Sequence, residues 1–368
     1  MVDFCDSFDP YASPFLFFGF FVHFSLSSRK IYLDPSRSNN TRLGGTMENV
    51  PVIDLTGDRA SNVTTMDAAL RQFGFFYVKN HGVDSDLIEK QFEVSADLFA
   101  LPLSVKEATM GPFNAQLDIG YVGSGTQSLD PDGNIQHSGD TKEGFMMTNN
   151  KLITDPASAI TDPDDVFEGS VNFSLPHIPD HAETVKAYVS AVYKLDLTLN
   201  NLLFDAIGGI KDEQRLLYCS KPFLVLKQMR YEGELSDPSK GKFGAGAHAD
   251  WGAFTVLATD STPGLQIQMG DDWLPVPPKP GCLIINSGNQ IAQLTNDIYR
   301  SAVHRVVTTS TKPRYSTAVF TYFSLDAEVG PLPQLVSEDR PARHPNGRTT
   351  LEYFHFKLNE SMGNGGSY

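Results

Sequence analysis

The sequence predicts a mainly β protein with helices added, an α+β fold on a jelly-roll (double-stranded β-helix) core. Three observations point there. From residue 223 onward, runs of β-branched and aromatic residues recur roughly every ten to fifteen residues between Gly, Pro and Asn turns, the pattern of an antiparallel sandwich or barrel. Residues 180–207 carry Val185, Val189, Val192, Leu195, Leu199, Leu202, Leu203 and Ile207 at helical spacing, a long helix closed by Gly208-Gly209. Residues 50–102 read as strand, helix, strand, helix.

The elements follow in chain order. Residues 15–26 (FLFFGFFVHFSL) are densely apolar but too short to span a bilayer, and the acidic residues before them are the wrong charge for a signal peptide. Residues 1–46 are therefore expected to be a disordered extension or the product of a start placed ahead of Met47. Within 47–110, VPVIDL is a short strand, 68–73 one face of a helix stopped by Gly74, and FFYV at 75–78 a second strand turned by Asn80-His81-Gly82. Asp84 then caps a helix carrying Leu87, Ile88, Phe92, Ala96 and Phe99.

Residues 111–215 combine a segment rich in Gly, Asp, Asn, Ser and Pro, expected to cover a substrate, with the long helix. Candidate strands in the 216–330 domain are 223–231, 254–258, 264–269, 272–276, 282–286, 302–308 and 316–323, and a jelly roll fits them because its two sheets enclose a cavity. Residues 331–368 are a tail with a Gly-rich, frayed end.

Composition excludes several classes. The 368 residues can bury a substantial core. There are 29 Lys and Arg against 44 Asp and Glu, a net charge of −15, which disfavours nucleic acid or an anionic membrane as partner. Cys5, Cys219 and Cys282 are odd in number, widely spaced and form no CxxC, so they read as reduced thiols in a cytoplasmic protein, with the Phe-rich run leaving targeting open.

The chemistry gathers in 246–257, GAHADWGAFTVL. On a strand, His248 and Asp250 would project from one face and could reach one metal ion. His304 lies in a later β-type run, and the three together have the make-up of the two-His, one-carboxylate set that binds non-haem Fe(II). Arg314 and Ser316 alternate onto one strand face and can together hold a carboxylate. Gly241, Gly244 and Gly246 fit no phosphate-binding pattern and read as a flexible lead-in to the strand.

In this order and spacing, these residues resemble the Fe(II)- and 2-oxoglutarate-dependent dioxygenases, in the branch of isopenicillin N synthase and the plant hormone and flavonoid dioxygenases. The family's His-x-Asp-x-Gly-x-x-Thr-x-Leu is matched by His248, Asp250, Gly252, Thr255 and Leu257, and VPVIDL, GFFYVKNHGV and LFALPLSVK are similar to its N-terminal module. The resemblance covers roughly residues 50–356. It implies that His248, Asp250 and His304 bind iron and are catalytic. It implies that Arg314 pairs with the distal carboxylate of 2-oxoglutarate, with Ser316 and Tyr231 beside it. It implies O2 and a small organic substrate as partners, with ascorbate as an optional reductant.

Two departures stand out: Met229 replaces an Asn usual two residues before the Tyr, and Asn289 replaces an Asp. Tyr121, Phe145, Trp251 and Phe323 are candidates for the substrate wall. The expected reaction is hydroxylation of a specialised metabolite or hormone-like compound. The alternatives are an iron oxidase that dispenses with 2-oxoglutarate and a catalytically silent binding protein on the same fold.

Overall fold

The computed structural model describes residues 50–110, 120–126, 139–148, 175, 177–345 and 347–363. The expectations for residues 1–46, for most of the covering segment and for the last five residues lie outside that set.

The opening module is β1 (Val52–Asp54), α1 (Arg59–Gln72), β2 (Phe75–Lys79) and α2 (Ser85–Ala100). Helix α1 starts well before residue 68 because Asp58 caps it, accepting from Ser61 N at 2.8 Å. Its first turns are polar and bury only Asn62 and Met66 before Ala69, so hydrophobic periodicity does not report them. Asp84 caps α2 as expected, accepting from Asp86 N at 2.8 Å.

After α3 (Leu103–Met110) come β3 (Gly120–Val122), β4 (Lys142–Thr148), α4 (His181–Ile207), α5 (Asp212–Cys219) and β5 (Pro222–Tyr231). The rest is β6 (Ala245–His248), β7 (Phe254–Thr259), β8 (Leu265–Met269), β9 (Asp272–Pro275), β10 (Cys282–Ser287), α6 (Asn289–Leu294), β11 (His304–Val306), β12 (Arg314–Ser324), β13 (Glu328–Val329), β14 (Arg348–Thr349) and α7 (Thr350–Gly363). The large sheet has the order β1-β2-β10-β7-β12-β5-β4-β3, and the small one β6-β11-β8-β9. The two sheets form an open jelly roll with no closed barrel among the described residues.

The large sheet is buried on both faces. One face packs on the helices: Phe76, Val78, Phe254, Val256, Ile285, Val319 and Phe323 share a core with Leu70, Leu98, Val189 and Leu199. The other face meets the small sheet, with Phe75, Tyr77 and Ile284 on Leu265 and Ile267, and Met229, Tyr231 and Ala318 on Ala245 and Val306. Each fully buried Leu, Ile or Phe contributes about 1.5–3 kcal/mol of transfer free energy, which is why period-two alternation is muted in β7 and β10.

Two expectations need correction. Residues 142–148, placed in a covering segment, are a fully buried strand of the large sheet, where their Gly and Lys content masks the β signal. The region after residue 330 is more than a tail: α7 seats Phe354, 0% exposed, against Phe223 at 4.9 Å and Tyr322 at 5.7 Å between ring centroids.

Candidate active site

His248 is the last residue of β6 in the small sheet, and Asp250 lies beyond the strand, where the chain leaves for β7 in the large sheet. The two are therefore not neighbours on one strand face, as the i, i+2 spacing predicts. A turn delivers Asp250 to the same place. His304, on β11, is the cross-strand partner of His248, and their ring centroids are 4.3 Å apart.

Backbone contacts fix the turn. Asn289 N donates to Asp250 O at 2.8 Å, Gly288 N to Ala253 O at 2.7 Å and Gln290 N to Gly252 O at 3.0 Å. A Cβ on Gly252 would run into Thr321 O, and one on Gly288 into Gly252 O, so both must be glycine for the segments to approach. Asn289 meets Asp250 through its backbone N–H, which an Asp would supply equally, so the departure at this position leaves the turn intact.

The three donor atoms are prepared for a cation. Asp250 Oδ2 accepts from Thr255 Oγ1 at 2.5 Å and from Asn286 Nδ2 at 2.6 Å. Its Oδ1 stands 3.8 Å from Nε2 of His248 and 3.8 Å from Nε2 of His304. Each ring donates Nδ1–H to the carbonyl two residues before it, His248 to Gly246 at 2.8 Å and His304 to Ala302 at 2.9 Å. That fixes the tautomer that leaves both Nε2 lone pairs toward Asp250.

Burial, aided by repulsion from His304, pushes the His248 pKa down to about 3, so the ring is neutral. Burial of Asp250 alone would raise its pKa. Electrostatic interaction with the His304 and His248 rings and the bonds from Thr255 and Asn286 outweigh it and hold the carboxyl below its usual range. Two imidazoles and one carboxylate, whose ligand atoms all lie within 4.8 Å of one another, are a donor set that fits one divalent ion.

The same cavity holds the second motif. Arg314, Ser316, Ala318 and Phe320 alternate along β12 and line it, with Lys227, Met229 and Tyr231 from β5 and Lys142 from β4. Arg314 is 2% exposed, donates Nε–H to Thr262 O at 3.2 Å and lies 4.8 Å from the centroid of the Tyr231 ring. Its Nη1 and the Oγ of Ser316 are buried without a hydrogen-bond partner. Unmatched buried donors on one strand face call for an acceptor between them, and a carboxylate fits.

The structure does not bring the four aromatic candidates here. Phe145 and Phe323 sit on the helix side of the large sheet, Phe145 near His181 and Phe323 against Phe204 and Tyr218. Tyr121 donates its hydroxyl to Glu143 at 2.6 Å, and Trp251 packs with Phe354 at 6.5 Å. Of the lining residues, Lys142, Lys227, Met229, Phe320 and Asn286 carry no site signal of their own in the sequence. Extending the Arg314-x-Ser316 alternation by two steps finds Ala318 and Phe320.

A jelly roll whose cavity joins a His–Asp–His cluster to a buried Arg–Ser pair defines a non-haem iron oxygenase of the 2-oxo-acid-dependent class. Comparison with known proteins agrees. The model of the 2OG-Fe(II) oxygenase superfamily matches residues 221–322, and that of the N-terminal region of non-haem dioxygenases in morphine synthesis matches residues 50–167. Flavonol synthase/flavanone 3-hydroxylase of Eustoma exaltatum subsp. russellianum is 30% identical over 320 residues, 86% of this chain and 88% of that one. Thebaine 6-O-demethylase of Papaver somniferum is 29% identical over 318 residues, 82% and 79% of the two chains. Among solved structures, JOX2 in complex with 2OG, Fe and JA superposes with a TM-score of 0.67 at 27% identity, covering 84% of this chain and 85% of that one. The dioxygenase for auxin oxidation of rice shares the fold, with a TM-score of 0.63 at 24% identity over 86% and 96% of the two chains. The chain belongs to the 2OG-Fe(II) oxygenase superfamily, the Fe(II)- and 2-oxoglutarate-dependent oxidoreductases. No described helix is long and apolar enough to cross a membrane.

Proposed function

We propose that this chain oxidises, by hydroxylation, a small organic molecule of the specialised-metabolite or hormone-like kind, with His248, Asp250 and His304 holding Fe(II). One observation carries the assignment: the Oδ1 and two Nε2 atoms converge in the cavity that also contains the orphaned Nη1 of Arg314 and Oγ of Ser316.

In this reading Arg314 and Ser316 bind the distal carboxylate of 2-oxoglutarate, and Tyr231 backs the guanidinium with its ring. Fe(II) with 2-oxoglutarate supplies the activation of O2, the co-substrate leaving as succinate and CO2. The chain itself does four things. Nδ1–H bonds lock both imidazole tautomers. Thr255 and Asn286 hold one carboxylate oxygen so that the other faces the two Nε2 atoms with which it would hold the metal. Arg314 and Ser316 orient the co-substrate. Met229, Leu257, Val306 and Phe320 give the cavity an apolar wall that limits water beside the reacting groups.

A screen of small organic molecules read as succinate release tests the proposal. Succinate should form only with Fe(II), O2 and a substrate, and should vanish in His248→Ala and Asp250→Ala. Turnover without 2-oxoglutarate would favour the oxidase reading. Failure to take up iron would overturn the site.

A further inference from the structure

The cavity contains a cation that these assignments do not use. Lys142 stands in the cross-strand row Lys142–Tyr231–Arg314 and lines the cavity with the His–Asp–His cluster. Its side chain is 4% exposed, and Nζ donates to Asp140 Oδ2 at 2.5 Å, Asp140 being 5% exposed. An ammonium has three N–H donors. Asp140 is the one acceptor Lys142 meets among the described residues, so two donors remain for the cavity.

The pair is also fixed in place. Asp140 Oδ1 accepts from Gly246 N at 2.9 Å, and Gly246 O in turn accepts from His248 Nδ1 at 2.8 Å. Lys142 is therefore tied to the strand that carries His248. Among the described residues, the basic side chains lining the cavity besides the histidines are Lys142, Lys227 and Arg314, and Asp140 stands behind Lys142. Buried donors without acceptors are costly, and an incoming anion would relieve that cost.

We propose that Lys142, steadied by Asp140, is a second carboxylate-binding position in the cavity, separate from Arg314 and Ser316. The proposal rests on the reading in which those two hold the distal carboxylate of 2-oxoglutarate. The second carboxylate comes either from the organic substrate, making it a small organic acid, or from the 2-oxo-acid end of 2-oxoglutarate. In both cases Lys142 donates N–H to a carboxylate oxygen, and a cationic amine is disfavoured as substrate.

Binding measurements on the full chain loaded with Zn(II), which takes the same donors without O2 chemistry, test this. The variant is Asp140→Asn with Lys142→Met: it removes both charges, leaves no lone buried ion and keeps an amide oxygen for Gly246 N. Calorimetric titration with 2-oxoglutarate is the first arm. The second arm titrates the 2-oxoglutarate-saturated protein with aromatic and aliphatic carboxylic acids, each paired with its methyl ester.

A rise of at least tenfold in the 2-oxoglutarate Kd of the variant places Lys142 on the co-substrate. An unchanged Kd, with a tenfold preference for acids over esters that the variant loses, places it on the substrate. If the double variant does not melt cooperatively, Lys142→Gln alone is read in the same two arms. An Arg314-dependent 2-oxoglutarate titration with neither effect of Lys142 overturns this proposal alone. Wild-type protein that binds no 2-oxoglutarate overturns it together with the clamp assignment.

Discussion

Asn286 Nδ2 lies 2.6 Å from Asp250 Oδ2, and this bond, with that from Thr255, decides which carboxylate oxygen faces the two histidines. Asn286 comes from β10, 36 residues along the chain. Replacing it by Ala leaves the carboxylate free to rotate and removes a charge-assisted hydrogen bond worth about 1.5–3 kcal/mol. Asn286→Ala should weaken Fe(II) binding roughly 10–100-fold, and Thr255→Val should act in the same direction. Metal titration by calorimetry checks this. Unchanged affinity in both variants would show that Asp250 is oriented by other means.

Gly252 is read in the sequence as part of a motif, and the structure supplies the reason. Its Cα faces the carbonyl of Thr321, and any Cβ must push β12 and the Asp250 turn apart. Gly252→Ala should cost about 1–3 kcal/mol of stability, as overpacking does, and should lower metal affinity as well because the displaced turn carries Asp250. Urea unfolding and metal titration together read both effects. A variant that loses stability but binds metal normally would separate the turn from the ligand geometry.

Arg314 should govern the co-substrate. Arg314→Lys keeps a positive charge but loses the planar fork and its contact with Tyr231. Arg314→Ala loses the charge too. Both should raise the KM for 2-oxoglutarate, the Ala variant by roughly 10–100-fold given about 1.5–3 kcal/mol for a charged hydrogen bond. The KM for the organic substrate should move far less. Equal shifts in the two constants would argue that Arg314 supports the cavity as a whole.

Most of the site's composition is legible in the sequence, because metal donors and the Arg-x-Ser alternation are rare residue types at fixed spacing. What the sequence does not show is which side of a sheet a residue faces. Phe323 and Phe320 are both aromatic residues of β12, yet they differ by an odd number of positions and lie on opposite faces. His248-x-Asp250 shows the opposite failure: the i, i+2 rule predicts the right neighbours for the wrong reason, since the chain changes sheets between them. Lys142 is hidden because its strand lies in a segment whose Gly, Asp and Ser content reads as loop. Asn286 is linked to Asp250 only by tertiary pairing, which no local pattern encodes.

Asp196 gives a prediction about stability rather than turnover. It lies on α4, 2% exposed, and accepts from Thr321 Oγ1 of β12 at 2.8 Å. Burial pushes its pKa up to about 7, the bond from Thr321 opposing only part of the shift. In the unfolded chain the carboxyl loses its proton near the ordinary value of 3.8, whereas the folded protein retains it up to about 7. Between those values the folded state binds more protons than the unfolded one, so stability falls as pH rises. The contribution is fully present below pH 4 and gone above pH 7, amounting to as much as roughly 4 kcal/mol at about 1.4 kcal/mol per pH unit. Asp196→Asn keeps an oxygen for Thr321 and has no proton to lose. Urea unfolding of both proteins across pH 4 to 8 should show the variant gaining on the wild type as pH rises, with the gap levelling off above pH 7. A gap independent of pH would mean that Asp196 is already ionised in the folded protein.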